Sequence, residues 1–223
     1  MIAPTPPLAG PAGGPAGPAV SEPGLPERLA AALAGSLPPP LDARILMSEQ
    51  EQALARPAAV LVVLVADAVE GVRILLTRRT EHLPNHAGQI SFAGGRVDAA
   101  DRDAVATALR EAGEEIGLAP HAVRVIGLLP EFLVPTGFRV TPVLAWLDQT
   151  PQLCADPDEV AEIFYLPAAL GLDPEAWSVE ELERGGQRRR LWVMEYEGRR
   201  IWGATAAILV WLAGVLRAQG IRL

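Results

Sequence analysis

The chain has a single cysteine, Cys154, so no disulfide can form within it. One thiol fits a reducing compartment. Basic charge is also short: 19 Lys and Arg stand against 27 Asp and Glu, a formal net charge of −8. That argues against a general nucleic-acid binder, which would carry a basic face. A small anionic ligand is not excluded, because a local cluster and a metal ion can hold one. Long apolar runs are missing too. The longest near the C-terminus, Gly203 to Leu216, falls short of the ~18–20 residues of a membrane span and reads as a buried helix. The opening stretch, MIAPTPPLAGPAGGPAGPAV, has neither a positive n-region nor an uninterrupted apolar h-region, so it does not read as a secretory signal. A cytoplasmic protein without membrane or nucleic-acid partners is expected.

What is present points to one substantial domain. Half of the 223 residues are apolar, enough to bury a proper core. Residues 1–25 are dominated by Pro, Gly and Ala and are expected to be a disordered tail, because they lack large apolar side chains to offset ordering entropy. The domain is expected over 26–223 and opens with a helical extension. LPERLAAALAGSL (25–37) has a helical pattern that three prolines at 38–40 stop. ILMSEQEQALA (45–55) reads as a second short helix, with Ser48 and Glu51 spaced as a capping box.

The period then changes. AAVLVVLVAD (58–67) and GVRILLTRR (71–79) read as two strands of a hairpin. HLPNHAGQISFAGGRVDAADR reads mostly as loop. A helix is expected from about 103 to 116, closed by Gly117. Strand patterns return at 123–132, at 138–147, at about 161–165 before a short helix, and as a pair within 189–203 joined at Glu197–Gly198. The last helix is expected over about 204–218, and its Trp- and Leu-rich surface fits either a core element or a homodimer interface. There is no internal repeat. This order favours an α+β domain with a central mixed sheet between helices.

Within LREAGEEIG, Leu109 to Gly117, three glutamates stand within five residues. Glu111 and Glu115 are an i,i+4 pair of like charge, which destabilises an isolated helix by roughly 0.2–0.5 kcal/mol. At about 100° per residue, Val105, Leu109, Ala112 and Ile116 form a core-facing stripe, with Glu111, Glu114 and Glu115 on an adjoining face. Arg110 can pair with Glu114. The bland account is a solvated acidic face. The chemical one is a divalent cation, because Mg²⁺ takes hard oxygen ligands and shares them with substrate phosphates. Such an ion also reverses the unfavourable placement of acids near a helix C-terminus.

These residues carry a resemblance. Gly94 to Leu118, GGRVDAADRDAVATALREAGEEIGL, resembles the Nudix box of the Nudix hydrolases. The half Arg110-Glu111-Ala112-Gly113-Glu114-Glu115-Ile116-Gly117-Leu118 matches the pattern throughout. In the first half Asp101 replaces the family's first glutamate, and the gap to Arg110 is one residue longer. Leu75 to Gly95, LLTRRTEHLPNHAGQISFAGG, is similar to the signature of the coenzyme A pyrophosphatase branch. Leu75, Leu76, Thr77, Arg79, Gly88, Phe92, Gly94 and Gly95 match it. Pro84 stands for the signature's arginine, Ala93 for a proline, and Thr80 for Ser or Ala. Arg78, Arg79, His82 or His86 could compensate for the missing arginine.

The resemblance implies an α/β/α sandwich of Nudix type with a central mixed β-sheet. It implies metal-dependent hydrolysis of the diphosphate linkage of coenzyme A or its derivatives. Glu111, Glu114 and Glu115 would hold Mg²⁺ or Mn²⁺, and Arg110 would orient the glutamates. The general base would be a box glutamate, Glu114 or Glu115, or else Glu159, in the DPDEVAE loop. Arg78, Arg79, Gly88, Phe92 and Gly94 would meet the substrate. Two other readings stay open. One is an enzyme acting on ADP-ribose, a dinucleotide or an acyl-coenzyme A. The other is a non-catalytic nucleotide-binding regulator, although such modules typically lose the glutamates and all three are present here.

Overall fold

The computed structural model of the protein describes residues 24–35, 53–83, 86–134, 136–184 and 187–223. In chain order its main elements are α1 (Leu25–Ala34), β1 (Arg56–Asp67), β2 (Gly71–Arg79), β3 (Ile90–Ser91), β4 (Ala93–Arg96), α2 (Ala104–Ile116), β5 (Arg124–Leu128), β6 (Phe132–Val134), β7 (Phe138–Leu147), β8 (Val160–Pro167), α3 (Ala168–Gly171), β9 (Ser178–Arg184), β10 (Gln187–Tyr196), β11 (Arg199–Trp202) and α4 (Gly203–Ala218). The tail expected over 1–25 lies outside the described residues except for its end. There Leu25 is buried and opens α1. Most of the helix expected over 45–55, with Ser48, lies outside them, as does Pro84.

β1 organises the main sheet. It forms a hairpin with β2, with Leu64 opposite Ile74 and Asp67 opposite Gly71. The Asp67 carboxylate closes the turn by accepting the N–H groups of Val69 and Glu70. On its other side β1 runs parallel to β7, from Arg56 opposite Phe138 to Val65 opposite Leu147. The remaining pairings are antiparallel, so the sheet is mixed. The alternation along β1 divides two cores. Ala59, Leu61, Val63 and Val65 pack with Ala108, Ala112 and Ile116 of α2. Val62 and Leu64 pack on the opposite face with Leu29 of α1 and with Ile208, Leu209, Leu212 and Leu216 of α4. A strand covered on both faces must be apolar throughout, which is why its sequence shows no alternation. The result is the helix–sheet–helix sandwich that the sequence implied.

Three local expectations change. The strand expected over 123–132 is broken into β5 and β6 around Pro130, which has no N–H for a ladder. The glycine-rich loop contains two short strands, β3 and β4. A separate three-stranded sheet, in the order β11-β10-β9, covers the α4 side. The strand pair within 189–203 was expected, but β9 was not, because SVEELER has no apolar alternation. The last helix is core: Ile208, Leu209, Leu212 and Leu216 are fully enclosed. Among the described residues no helix is long and apolar enough to cross a membrane.

Phe92, between β3 and β4, is 3% exposed and belongs to the core on the α4 side. It therefore acts through volume. Phe92→Ala is expected to lower the free energy of unfolding by about 3–5 kcal/mol, and Phe92→Leu by much less. Urea unfolding of the two variants distinguishes this from a substrate contact, whose loss would leave stability unchanged.

Candidate active site

Helix α2 is set by its ends. The Asp103 carboxylate caps the N-terminus by accepting the Ala106 N–H at 2.8 Å. Gly117 closes the C-terminus in the left-handed conformation, φ 66°, which a side chain would disfavour. Two carbonyls of the last turn are taken by the following loop: Asp156 N–H reaches Glu115 O at 2.8 Å and Cys154 N–H reaches Ile116 O at 3.0 Å. The helix and the 154–159 loop are thereby fastened together.

The expected stripe of α2 faces the core, with Val105 and Leu109 packed against the same cluster as Ala112 and Ile116, but the buried face is wider than expected. Thr107, Ala108, Ala112, Glu115 and Ile116 are buried, while Val105 and Leu109 are only half-buried. Glu115 is thus on the core side, 4% exposed. It is accommodated by Gly94, whose N–H donates to Glu115 Oε2 at 3.1 Å. Gly94 lies opposite Val60 in the β4–β1 ladder. A Cβ there would meet the Ala59 carbonyl and stand 2.6 Å from Val60 Cα, so only glycine brings this N–H so close. Burial pushes the Glu115 carboxyl up to about 7, aided by the charges of Glu159 and Glu111 and opposed by the Gly94 hydrogen bond and Arg79. Glu111 is also pushed upward, chiefly by burial. Its carboxylate lies over Gly95, where a Cβ would be 2.6 Å from the carboxyl carbon.

Arginines stand where positive charge is needed. Arg79, at the end of β2, places Nη1 3.5 Å from Glu115 Oε1 and Nη2 3.9 Å from Glu159 Oε2. Its buried Nε has no hydrogen-bond partner among the described residues. Arg110 contacts Glu111 and Glu114, each at 3.0 Å, and grips Asp101 with a two-pronged fork of 3.1 and 2.9 Å. Asp101 also accepts the Thr107 hydroxyl and the Asp98 N–H. Glu114 is 61% exposed and rests on Arg110. Glu159 is brought beside the cluster by Thr80. The Thr80 N–H donates to Glu159 O and its hydroxyl to Asp158 O, both at 3.0 Å.

The structure therefore assembles Glu111, Glu115, Glu159, Arg79, Arg110 and Gly94, with Glu114 on the rim. It does not bring the other expected substrate contacts here. Arg78 points to the opposite face of β2, where its Nε is 3.1 Å from Glu162. Arg78 and Gly88 border a separate cleft of about 510 Å³ with Glu162, Arg199, Arg200 and Trp202. Phe92 is in the core. Sequence reasoning missed the structural part played by Asp101 and Thr80, and it missed Arg199, Arg200 and Trp202 altogether. The only sequence signal for the last three was the aromatic and basic RRIW pattern of β11.

The donor set suits a divalent cation: hard, acceptor-only oxygens, one of them, on Glu115, nearly desolvated. Among the described residues no three such side chains already converge at ligand separation. The arginines hold them instead, so collecting them about an ion requires an exchange of partners.

A model of the NUDIX domain matches residues 55–183, and the chain belongs to the Nudix hydrolase family. It is 43% identical over 158 residues to a protein of Salmonella paratyphi B named Uncharacterized Nudix hydrolase NudL, covering 71% of this chain and 81% of that one. The protein of the same name from Escherichia coli (strain K12 / DH10B) is 42% identical with the same coverage. Among solved structures, a MutT/nudix family protein from Enterococcus faecalis has a TM-score of 0.46 at 17% identity, covering 87% of this chain and 70% of that one.

The fork from Arg110 holds Asp101 well below the usual carboxylate range. A carboxyl with a depressed folded pKa stabilises above its unfolded value, roughly 3.9, and that contribution is lost as pH falls through the folded value. Asp101→Asn should therefore be less stable than wild type at pH 7, with the difference shrinking as pH falls from about 5 towards 2. Urea unfolding across that range measures the difference. A constant difference would mean that the ionised carboxylate contributes nothing.

Proposed function

We propose that the protein hydrolyses the diphosphate linkage of coenzyme A or a derivative, releasing adenosine 3′,5′-bisphosphate and 4′-phosphopantetheine. One observation carries this reading: Arg79, from the segment that resembles the coenzyme A signature, stands 3.5 Å from Glu115 of the Nudix helix. The two resemblances thus meet at one place. Glu111, Glu114 and Glu115 would hold Mg²⁺ or Mn²⁺. Bound there, the ion would neutralise diphosphate oxygens and lower the pKa of coordinated water.

The chain's own residues divide the remaining work. Arg110 orients Glu111 and Glu114 from one guanidinium, itself fixed by Asp101. Arg79 has an unmatched donor and loose contacts with two carboxylates, so it is free to turn to a substrate phosphate. Glu159, half-exposed beside Glu115, is placed to take a proton from water. Gly94 lets the backbone approach the buried carboxylate.

Chromatography of products after incubation with Mg²⁺ and either coenzyme A or ADP-ribose tests the substrate. Coenzyme A should be cleaved to the two named products and ADP-ribose much more slowly; the reverse order would refute the coenzyme A assignment. Glu115→Gln removes ligand charge without removing volume. It should lower turnover by on the order of a hundredfold or more while leaving thermal unfolding near wild type or raised. Undiminished turnover would remove Glu115 from the ligand set.

A further inference from the structure

The cleft on the opposite face of β2 has a definite composition. Arg78, Gly88, Glu162, Arg199, Arg200 and Trp202 border about 510 Å³, a volume in the range of small-molecule sites. One wall is the turn before β3 and the other is the β10–β11 hairpin. The hairpin lies beyond residue 183, where the match to the Nudix domain ends. Its register, Glu195 opposite Arg200 and Met194 opposite Ile201, sets Ile201 into the core and leaves Arg200 outside. The hairpin thus closes a space that the matched domain leaves open.

Charge decides what the cleft can take. Every guanidinium in it already has a carboxylate. Arg78 meets Glu162 at 3.1 Å, Arg199 meets Glu162 at 2.6 Å and Glu197 at 2.9 Å, and Arg200 meets Glu180 at 2.6 Å. Arg199 also lies 4.6 Å over the Phe164 ring. Free cations for a phosphate are lacking, and Glu162 and Glu197 would repel one. What the cleft offers is flat guanidinium surface, an indole, carboxylate acceptors and two side-chain-free turns at Gly88 and Gly198. Those features suit a planar heteroaromatic ring with amino donors, which stacks on guanidinium and indole faces and donates to carboxylates. Location agrees with this. Arg78 in the cleft and Arg79 at the carboxylates are consecutive, so both sites lie at the same end of β2.

We infer that this cleft is a purine-base subsite, built by the β10–β11 hairpin against the Gly88 turn. It rests on the reading of the chain as a hydrolase of adenine-containing diphosphates. A base seated there anchors one end of the substrate while the diphosphate is handled at Glu115 and Arg79.

The test uses the full chain, without metal, and the indole N–H signals of its 5 tryptophans. Adenosine, which carries no phosphate, should shift one indole signal that is absent from Trp202→Phe. Inorganic phosphate and ribose should leave it in place. Arg200→Ala, at a half-exposed position, should weaken adenosine binding and raise KM for coenzyme A about tenfold, with kcat close to wild type. Five unmoved signals would overturn the proposal. So would a response to phosphate but not adenosine, or a shift that persists in Trp202→Phe. Adenosine binding without coenzyme A cleavage would instead refute the proposed substrate and leave the base subsite standing.

Discussion

Glu115 is a carboxylate kept almost out of water, and the surrounding structure is arranged about that fact. Removing an ionised carboxylate from water costs several kcal/mol unless charge and hydrogen bonds replace its hydration. Here one hydrogen bond comes from Gly94, at 3.1 Å, and a cation from Arg79, at 3.5 Å. The first depends on β4 lying against β1 with no Cβ between them. The second depends on β2 ending level with α2. Neither compensation is complete, as the upward displacement of the Glu115 carboxyl indicates. The fold thus maintains a local demand for positive charge that a divalent ion can meet.

Arg110 meets a related demand one turn earlier. Alone, a partly exposed ion pair contributes little. Arg110, however, joins Asp101, Glu111 and Glu114 and also donates to the Arg96 carbonyl at 3.1 Å. It therefore ties the strand leaving β4 to the helix. Asp101 N–H returns to Asp98 O, and Asp98 N–H to the Asp101 carboxylate, making a turn closed on itself. That turn holds Asp101 facing Arg110, although its side chain is shorter than the family's glutamate and the gap between the two is one residue longer.

Local signals were legible in the sequence where they sufficed. Asp103 and Gly117 bounded α2, and Asp67 to Gly71 marked the first hairpin. The burial of Glu115 was not legible, because periodicity assigns a carboxylate to water. The N–H that admits it belongs to a strand twenty-one residues earlier. β9 was hidden for a different reason: SVEELER is charged and shows no apolar alternation, and only its hairpin register against β10 makes it a strand. The burial of Phe92 likewise depends on α4, far along the chain. The separation of Arg78 from Arg79 was readable, since consecutive strand residues face opposite sides.

That separation gives β2 two different environments at one end. On the α2 side carboxylates outnumber their arginine partners, so the binding of a cation is favoured. On the α4 side the guanidiniums and carboxylates are matched, so charge cannot select a ligand there, and selection falls to shape, stacking and hydrogen bonds. A diphosphate hydrolase needs both kinds of surface, one to act on a linkage common to many substrates and one to choose among them. On the reading proposed above, the Nudix helix would supply the first and the hairpin beyond the matched domain would furnish much of the second.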